Sequence, residues 1–198
     1  QGSYDLSYLR CVPNLIVMAP ANENECRQML FTAVHSERPA AVRYPRGQGP
    51  GIAIETVMRA MPIGKAQSLR EGRSGLAIIA VGSMVPFCTH IAEQLDATLI
   101  NLRFVKPLDE ELLLRLAGTH RALVTVEENV VAGGAGSAIA ECLASHGYSL
   151  PTLHLGIPDR FIEHGSRNDC LTAAGLDIPS IETAINRWWQ VPARAAAR

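Results

Sequence analysis

Two stretches of unbroken apolar character, residues 14–19 and 40–44, flank a segment in which Cys26, Met29, Leu30, Ala33 and Val34 recur at one-face helical spacing. A continuously apolar run predicts a strand covered on both faces, because a strand with one solvated face would alternate. Pro20 ends the first run. Asn22 followed by Glu25 predicts a capping box, and the helix it opens should run to about Ser36. Residues 1–12 are polar with interspersed Tyr4, Leu6, Tyr8 and Leu9, which predicts a short helix before Pro13. Two doubly buried strands need neighbours on both edges and helices on both faces. Residues 1–49 are therefore expected to be the tail of a domain whose other strands come from another chain or from upstream of Gln1.

Residues 50–73 are rich in glycine and proline and predict a linker, with an edge strand around residues 63–69. From Leu76 onward the pattern becomes regular. Apolar runs at residues 76–81, 98–102, 122–126 and 152–155 alternate with helical patterns at 83–95, 109–117, 136–146 and 179–189. Strands separated by helices imply right-handed crossovers and a parallel sheet, so residues 74–198 predict a second α/β domain. Ser83 is placed as a helix cap, Gly147 as a helix stop, and Ile181, Ala184, Ile185, Trp188 and Trp189 as one apolar stripe. The tail from Ala193 has nothing to bury and is expected to fray.

The 198 residues carry 18 basic and 19 acidic side chains, a net charge of −1. That balance argues against a nucleic-acid surface and against a membrane surface, while a small anionic substrate needs only local charge. The five cysteines are scattered, odd in number and without Cys-x-x-Cys spacing, as expected of a reduced, cytoplasmic protein. The apolar runs are too short to span a bilayer. The chain begins with Gln1 rather than methionine, which suggests a processed or truncated product.

The strongest chemical candidate closes the second apolar run: Arg43-Tyr44-Pro45-Arg46-Gly47. Ligands collect beyond the carboxyl ends of parallel strands, and the guanidinium of Arg46 is a fixed fork suited to phosphate or carboxylate. The competing reading is a loop arginine paired with a nearby carboxylate. Glu127 and Glu128 end a strand, but adjacent strand residues point to opposite faces and make a poor acid/base pair. At least one of them is expected to serve arginine or loop amides instead. Gly133-Gly134-Ala135-Gly136-Ser137 precedes a helix, yet Ile139 stands where a third glycine of a dinucleotide fingerprint belongs, so a tight turn for close helix packing is expected. The histidines show no metal spacing. His154 is expected to be a hydrogen-bonded core residue, and His164 alone merits a functional guess.

Read together, Gln1-Gly2-Ser3-Tyr4-Asp5-Leu6-Ser7-Tyr8-Leu9-Arg10, Ala41-Val42-Arg43-Tyr44-Pro45-Arg46-Gly47, Leu102-Arg103-Phe104-Val105-Lys106-Pro107-Leu108-Asp109, Val124-Thr125-Val126-Glu127-Glu128-Asn129 and the glycine turn resemble the C-terminal third of the 1-deoxy-D-xylulose-5-phosphate synthase family, thiamine-diphosphate enzymes of transketolase type. The resemblance implies that residues 1–49 end a pyrimidine-binding α/β domain and that residues 74–198 form a transketolase C-terminal-like domain with a parallel or mixed sheet. It also implies a transferase that condenses pyruvate with D-glyceraldehyde 3-phosphate in isoprenoid and thiamine biosynthesis, using thiamine diphosphate and Mg²⁺ as a homodimer. The family's Gly-Asp-Gly cofactor motif, its activating glutamate and the histidine expected just before Gln1 are absent, so this polypeptide alone is expected to be inactive and to need the remainder of the enzyme. Of the active-site residues, the phosphate-binding arginine carries over to Arg46, with Tyr44, Gln1 and Gly2 beside it. The equivalent part of another transketolase-type enzyme, or a non-catalytic α/β interaction module, are the alternatives.

Overall fold

The structure is a computed structural model that describes residues 3–195, the last five as backbone. The first segment contains α1 (Asp5–Leu9), β1 (Ile16–Met18), α2 (Glu23–His35) and β2 (Ala40–Val42). A largely irregular stretch leads to β3 (Gln67–Arg70) and β4 (Leu76–Ala80), then through a 3₁₀ turn at Gly82–Met84 into α3 (Val85–Gln94). The chain continues as β5 (Thr98–Asn101), β6 (Phe104–Lys106), α4 (Glu110–Thr119), β7 (Ala122–Val130), α5 (Ala135–Ser145), β8 (Thr152–Ile157), α6 (Arg167–Ala174) and α7 (Ile178–Ala195).

Two sheets result. The larger has the order β3-β5-β4-β7-β8, with four parallel strands and β3 antiparallel at one edge. Every side chain of β4 and β5 is buried, as expected of strands covered on both faces. One face packs on α3 and α7 through Ile78, Cys88, Ile91, Ile181 and Ile185, with Trp188 and Trp189 against them. The other packs on α4 and α5 through Ile79, Leu113, Leu116, Ile139 and Leu143, and Leu6 of α1 joins that layer.

The smaller sheet has the order β2-β1-β6 and differs from expectation. β2 lies parallel to β1, but the other neighbour of β1 is supplied by this same chain. Residues 104–106 pair antiparallel with it, Val17 opposite Lys106 and Met18 opposite Phe104. The three-residue strand is too short to stand out by periodicity, and it follows a turn in which Arg103 adopts φ 58°. Ile16, Met18, Met29 and Phe104 form a fully buried core of their own between the two halves of the chain.

Glu25 shows what the expected capping box became. Asn22 Oδ1 accepts from the Glu25 amide at 2.9 Å, so half the box is present. The carboxylate of Glu25 instead takes the Ala21 amide at 2.9 Å, the Asn101 side-chain amide at 2.9 and 3.0 Å, and Arg103 Nε at 2.6 Å. A helix-capping acid has become the polar rivet between the two sheets.

Other boundaries moved for identifiable reasons. The strand expected at 40–44 ends at Val42 and the one expected at 14–19 is Ile16–Met18. Ser83 does not cap α3; its hydroxyl donates to Glu128 at 2.5 Å. β7 runs on to Val130 because its last residues bind α1 and its lead-in: the Val130 amide donates to Ser3 O at 2.7 Å, and Asn129 Oδ1 accepts from the Leu6 amide at 3.2 Å. α6 was not expected, although Ser166 and Asp169 form a full capping box and Gly175 a left-handed stop. α7 keeps its helical backbone through Ala195, beyond the point where fraying was expected; residues 196–198 lie outside the described residues.

Replacing Glu25 by Ala leaves the Arg103 guanidinium and the Asn101 amide facing each other without their shared acceptor. The expected cost is about 3–5 kcal/mol, read as a lower midpoint in urea unfolding at unchanged slope. A loss below 1 kcal/mol, roughly the value of an exposed pair, would show that the rivet is dispensable.

Candidate functional site

Beyond β2 the chain crosses the ends of both sheets. The Arg43 amide still bonds to Met18 O at 2.8 Å, after which residues 44–50 arch over α2. Under that arch lies a cavity of about 770 Å³. Tyr44, Pro45, Gly47 and Gln48 line it from the arch, Cys26, Leu30, Phe31 and Val34 from α2, and Ser83, Phe87 and Arg167 from the larger domain. Its walls are mostly apolar, with polar groups at the junction. The arch is held down at its far end: the Gly51 amide donates to Glu23 Oε1 at 2.7 Å, and a Cβ on Gly49 would lie 2.3 Å from that same oxygen. A side chain at position 49 would displace the Glu23 carboxylate from the Gly51 amide.

Three arginines stand around this junction, in different electrostatic states. Arg43 binds Asp5 Oδ2 through Nε at 3.1 Å and donates to the Glu128 carbonyl, so it fastens α1 to β7. Arg167 grips Glu128 with both ends of its fork, Nε to Oε1 at 3.1 Å and Nη2 to Oε2 at 2.5 Å, while its Cζ lies 6.0 Å over the Phe87 ring. Burial pushes the Glu128 carboxyl up, but Arg167 and Ser83 outweigh it and leave the group below the usual carboxylate range. Arg46 is exposed, with Pro45 and Gly47 on either side of it lining the cavity. Among the described residues it makes no hydrogen bond or ion pair. Tyr44 lines the cavity and is 62% exposed. Gln1 and Gly2 lie outside the described residues.

The adjacent carboxylates divide as strand geometry requires. Glu128 faces the cavity wall; Glu127 points the other way and is 1% exposed. Its two oxygens accept from the amides of Ala135 and Gly136, each at 2.8 Å, at the N-terminus of α5. The glycines make room for it, since a Cβ on Gly134 would lie 2.4 Å from Glu127 Oε2 and one on Gly136 2.6 Å from both His154 Nδ1 and Thr125 Oγ1. The glycine turn is thus already filled by the Glu127 carboxyl group, which takes the amides a phosphate would need.

His154 behaves as expected, with Nδ1 2.8 Å from Thr125 Oγ1 and burial lowering its pKa. His164 is exposed and outside the cavity lining. His35 lines the cavity, its Nδ1 2.8 Å from Phe31 O and its ring stacked on Phe31 at 4.0 Å. Sequence reasoning had Arg43 only as part of the stretch around Arg46 and missed Arg167 as a member of this junction. The only signal for Arg167 was its place at the first position of a helix opened by Ser166.

The residues present do not fit the diphosphate and Mg²⁺ end of thiamine diphosphate. The one phosphate-like cradle is plugged by Glu127, and among the described residues the single cluster with metal-ligand spacing is Glu110, Cys142 and His146, not the oxygen set that Mg²⁺ prefers.

A mixed α/β chain with two sheets, one of them stitched across the halves, defines a class: the C-terminal region of a transketolase-type protein. The transketolase C-terminal domain family matches residues 64–181 and the transketolase pyrimidine-binding domain family matches residues 1–51; the chain belongs to the transketolase family. More particularly, it is 58% identical over 195 residues to the 1-deoxy-D-xylulose-5-phosphate synthase of Thioalkalivibrio sulfidiphilus, covering 98% of this chain and 30% of that protein. The synthase of Nitrosococcus oceani is 60% identical over 180 residues, 91% of this chain and 28% of that one. The resemblance carried by the motifs is therefore shown, and the chain spans about 30% of the length of these relatives. Among solved structures, a split-gene transketolase described as an inactive β4 tetramer aligns with TM-score 0.76 at 31% identity, covering 94% of this chain and 61% of that one. The transketolase of Campylobacter jejuni aligns with TM-score 0.68 at 18% identity, which bears on the fold alone.

Burial pushes Glu127 up to about 7 from an ordinary 4.5, against the pull of the Gly136 and Ala135 amides, Arg10 and Arg43. Because the folded chain then holds the proton more tightly than the unfolded chain, this contribution is fully present below pH 4.5 and is lost as pH rises through about 7. Denaturant unfolding of the native chain and of Glu127→Gln between pH 4.5 and 8 should show the native protein losing about 3 kcal/mol relative to the variant. A pH-independent difference would mean that Glu127 stays ionised throughout.

Proposed function

We propose that this chain is the C-terminal portion of a 1-deoxy-D-xylulose-5-phosphate synthase, which condenses pyruvate with D-glyceraldehyde 3-phosphate to give 1-deoxy-D-xylulose 5-phosphate and CO₂. The observation that carries the reading is 58% identity to a protein of that name across 98% of the chain. On this proposal residues 1–49 end the pyrimidine-binding domain, residues 50–73 link, and residues 74–198 are the C-terminal domain. Thiamine diphosphate and Mg²⁺ are held by the remainder of the enzyme, whose active form is a cytoplasmic homodimer. Among the described residues no helix is long and apolar enough to cross a membrane.

The task of this chain is to position the acceptor. Arg46 holds the phosphate of D-glyceraldehyde 3-phosphate through charge-assisted bonds, so that the aldehyde is presented toward the part of the enzyme that this chain does not contain. Tyr44 shapes the same pocket, and the family resemblance adds Gln1, which lies outside the described residues. Its like-charged neighbours support the choice of Arg46: Arg43 is bonded to Asp5 and Arg167 to Glu128, so neither guanidinium is available without breaking the junction.

In the intact enzyme Arg46→Ala should lower kcat/KM for the phosphorylated acceptor by about 1.5–3 kcal/mol, roughly 10–150-fold, with pyruvate binding unaffected. Arg46→Lys should restore only part of the loss, because the fork is gone. An unchanged kcat/KM for the acceptor in Arg46→Ala would sink the assignment. The isolated chain should also give no heat with thiamine diphosphate and Mg²⁺ in titration calorimetry; tight binding by it would overturn the division of labour.

A further inference from the structure

On the face of the larger sheet away from α3 and the cavity, α4 and α5 pack side by side. Glu110 is the first residue of α4, and Cys142 and His146 stand one turn apart at the end of α5. One ligand atom from each lies within 4.8 Å of the other two. His146 Nδ1 is 2.9 Å from the Cys142 carbonyl oxygen, which can only accept a hydrogen bond, so Nδ1 carries the proton and Nε2 keeps its lone pair. Such a backbone partner on the far nitrogen is what fixes the tautomer of a ligating histidine. Glu110 Oε2 lies 4.0 Å from Nε2, too far for a hydrogen bond between them. One ion held tetrahedrally at about 2.0–2.1 Å from each would bring the two atoms to about 3.3–3.4 Å, so binding closes the gap by roughly 0.6 Å. The glutamate side chain is 62% exposed and can make that adjustment.

The donor set narrows the ion. A cysteine sulfur, an imidazole and one carboxylate form the mixed soft and borderline set that suits zinc, whereas Mg²⁺ and Ca²⁺ require oxygen. The last carbonyls of α5 place the negative end of a helix at the same spot. We propose that Glu110, Cys142 and His146 form a surface site for a divalent ion of the zinc class, with three protein ligands and solvent at the fourth position, clamping α4 to α5. Burial and the Glu110 carboxylate hold the Cys142 sulfur as a thiol without the ion. Binding therefore forms the metal–sulfur bond as the S–H bond breaks, releases one proton to solvent, and involves no change of oxidation state. The site is independent of the acceptor pocket, so either reading can fail without the other.

The test is titration of the full, reduced chain with Co²⁺, followed by displacement with Zn²⁺. The expected result is one equivalent bound, with a near-ultraviolet sulfur-to-cobalt charge-transfer band that Zn²⁺ abolishes. Cys142→Ser should remove the band, and Glu110→Gln, an exposed change that leaves packing intact, should weaken binding at least about tenfold, as should His146→Gln. Cobalt bound without the sulfur band, a band that survives Cys142→Ser through another cysteine, or affinity unchanged in Glu110→Gln would each overturn the proposal.

Discussion

A three-residue strand whose side chains are all buried cannot hold its place unless both edges and both faces are covered, and β1 meets that requirement by recruiting residues from the far half of the chain. Everything else at the junction follows. Pairing β1 with β6 brings Arg103 and Asn101 against α2, where burying a guanidinium demands a carboxylate, and Glu25 supplies it at 2.6 Å. The apolar share is carried by Ile16, Met18, Met29 and Phe104, which seal the seam from water. From the closed seam the chain runs on from the Arg43–Met18 bond to the Gly51–Glu23 bond, arching over α2.

The same logic explains the pair of glutamates at the end of β7. A strand turns successive side chains to opposite faces, so one carboxylate must go to each side. Glu127 goes to the helix face and supplies the acceptors that the first amides of α5 would otherwise lack. Glu128 goes to the junction and anchors Arg167 and Ser83 in the cavity wall. Arg10 ties the turn from outside, donating to Gly133 O at 2.7 Å and Gly134 O at 3.1 Å. The glycine turn is thus a structural socket, built so that a carboxylate can approach backbone without a Cβ in the way.

The larger sheet was legible because its four parallel strands are apolar runs separated by helices of apolar periodicity. The seam was less so. β6 is three residues long and gains its identity from pairing with a strand far away in sequence, which no local pattern encodes. α6 had a capping box and a terminal glycine, but buries only Leu171, so the apolar periodicity that announces a helix was missing. At the site, alternation put Glu127 and Glu128 on opposite faces and gave at least one of them to an arginine or to loop amides; the structure gives amides to Glu127 and an arginine to Glu128. Which arginine could not be read, since Arg43, Arg46 and Arg167 look alike until their neighbours are known.

That last distinction is electrostatic. A guanidinium that must capture a diffusing phosphate gains most where no carboxylate already neutralises it, because each existing partner has to be displaced or shared. Arg43 and Asp5 are each 12% exposed at the side chain, and separating them would strand two charges in a poorly solvated seam. Arg167 is spread over both oxygens of Glu128 and covers Phe87. Arg46 sits on an arch pinned at one end by β2 and at the other by Glu23, so its backbone is placed while its side chain stays in solvent. Fixed backbone with a fork that no described residue holds is the arrangement in which capture loses least conformational entropy and displaces no ion pair among them. It is the physical ground for the proposal that a phosphate is held there, with the other two arginines as the frame that holds the arch.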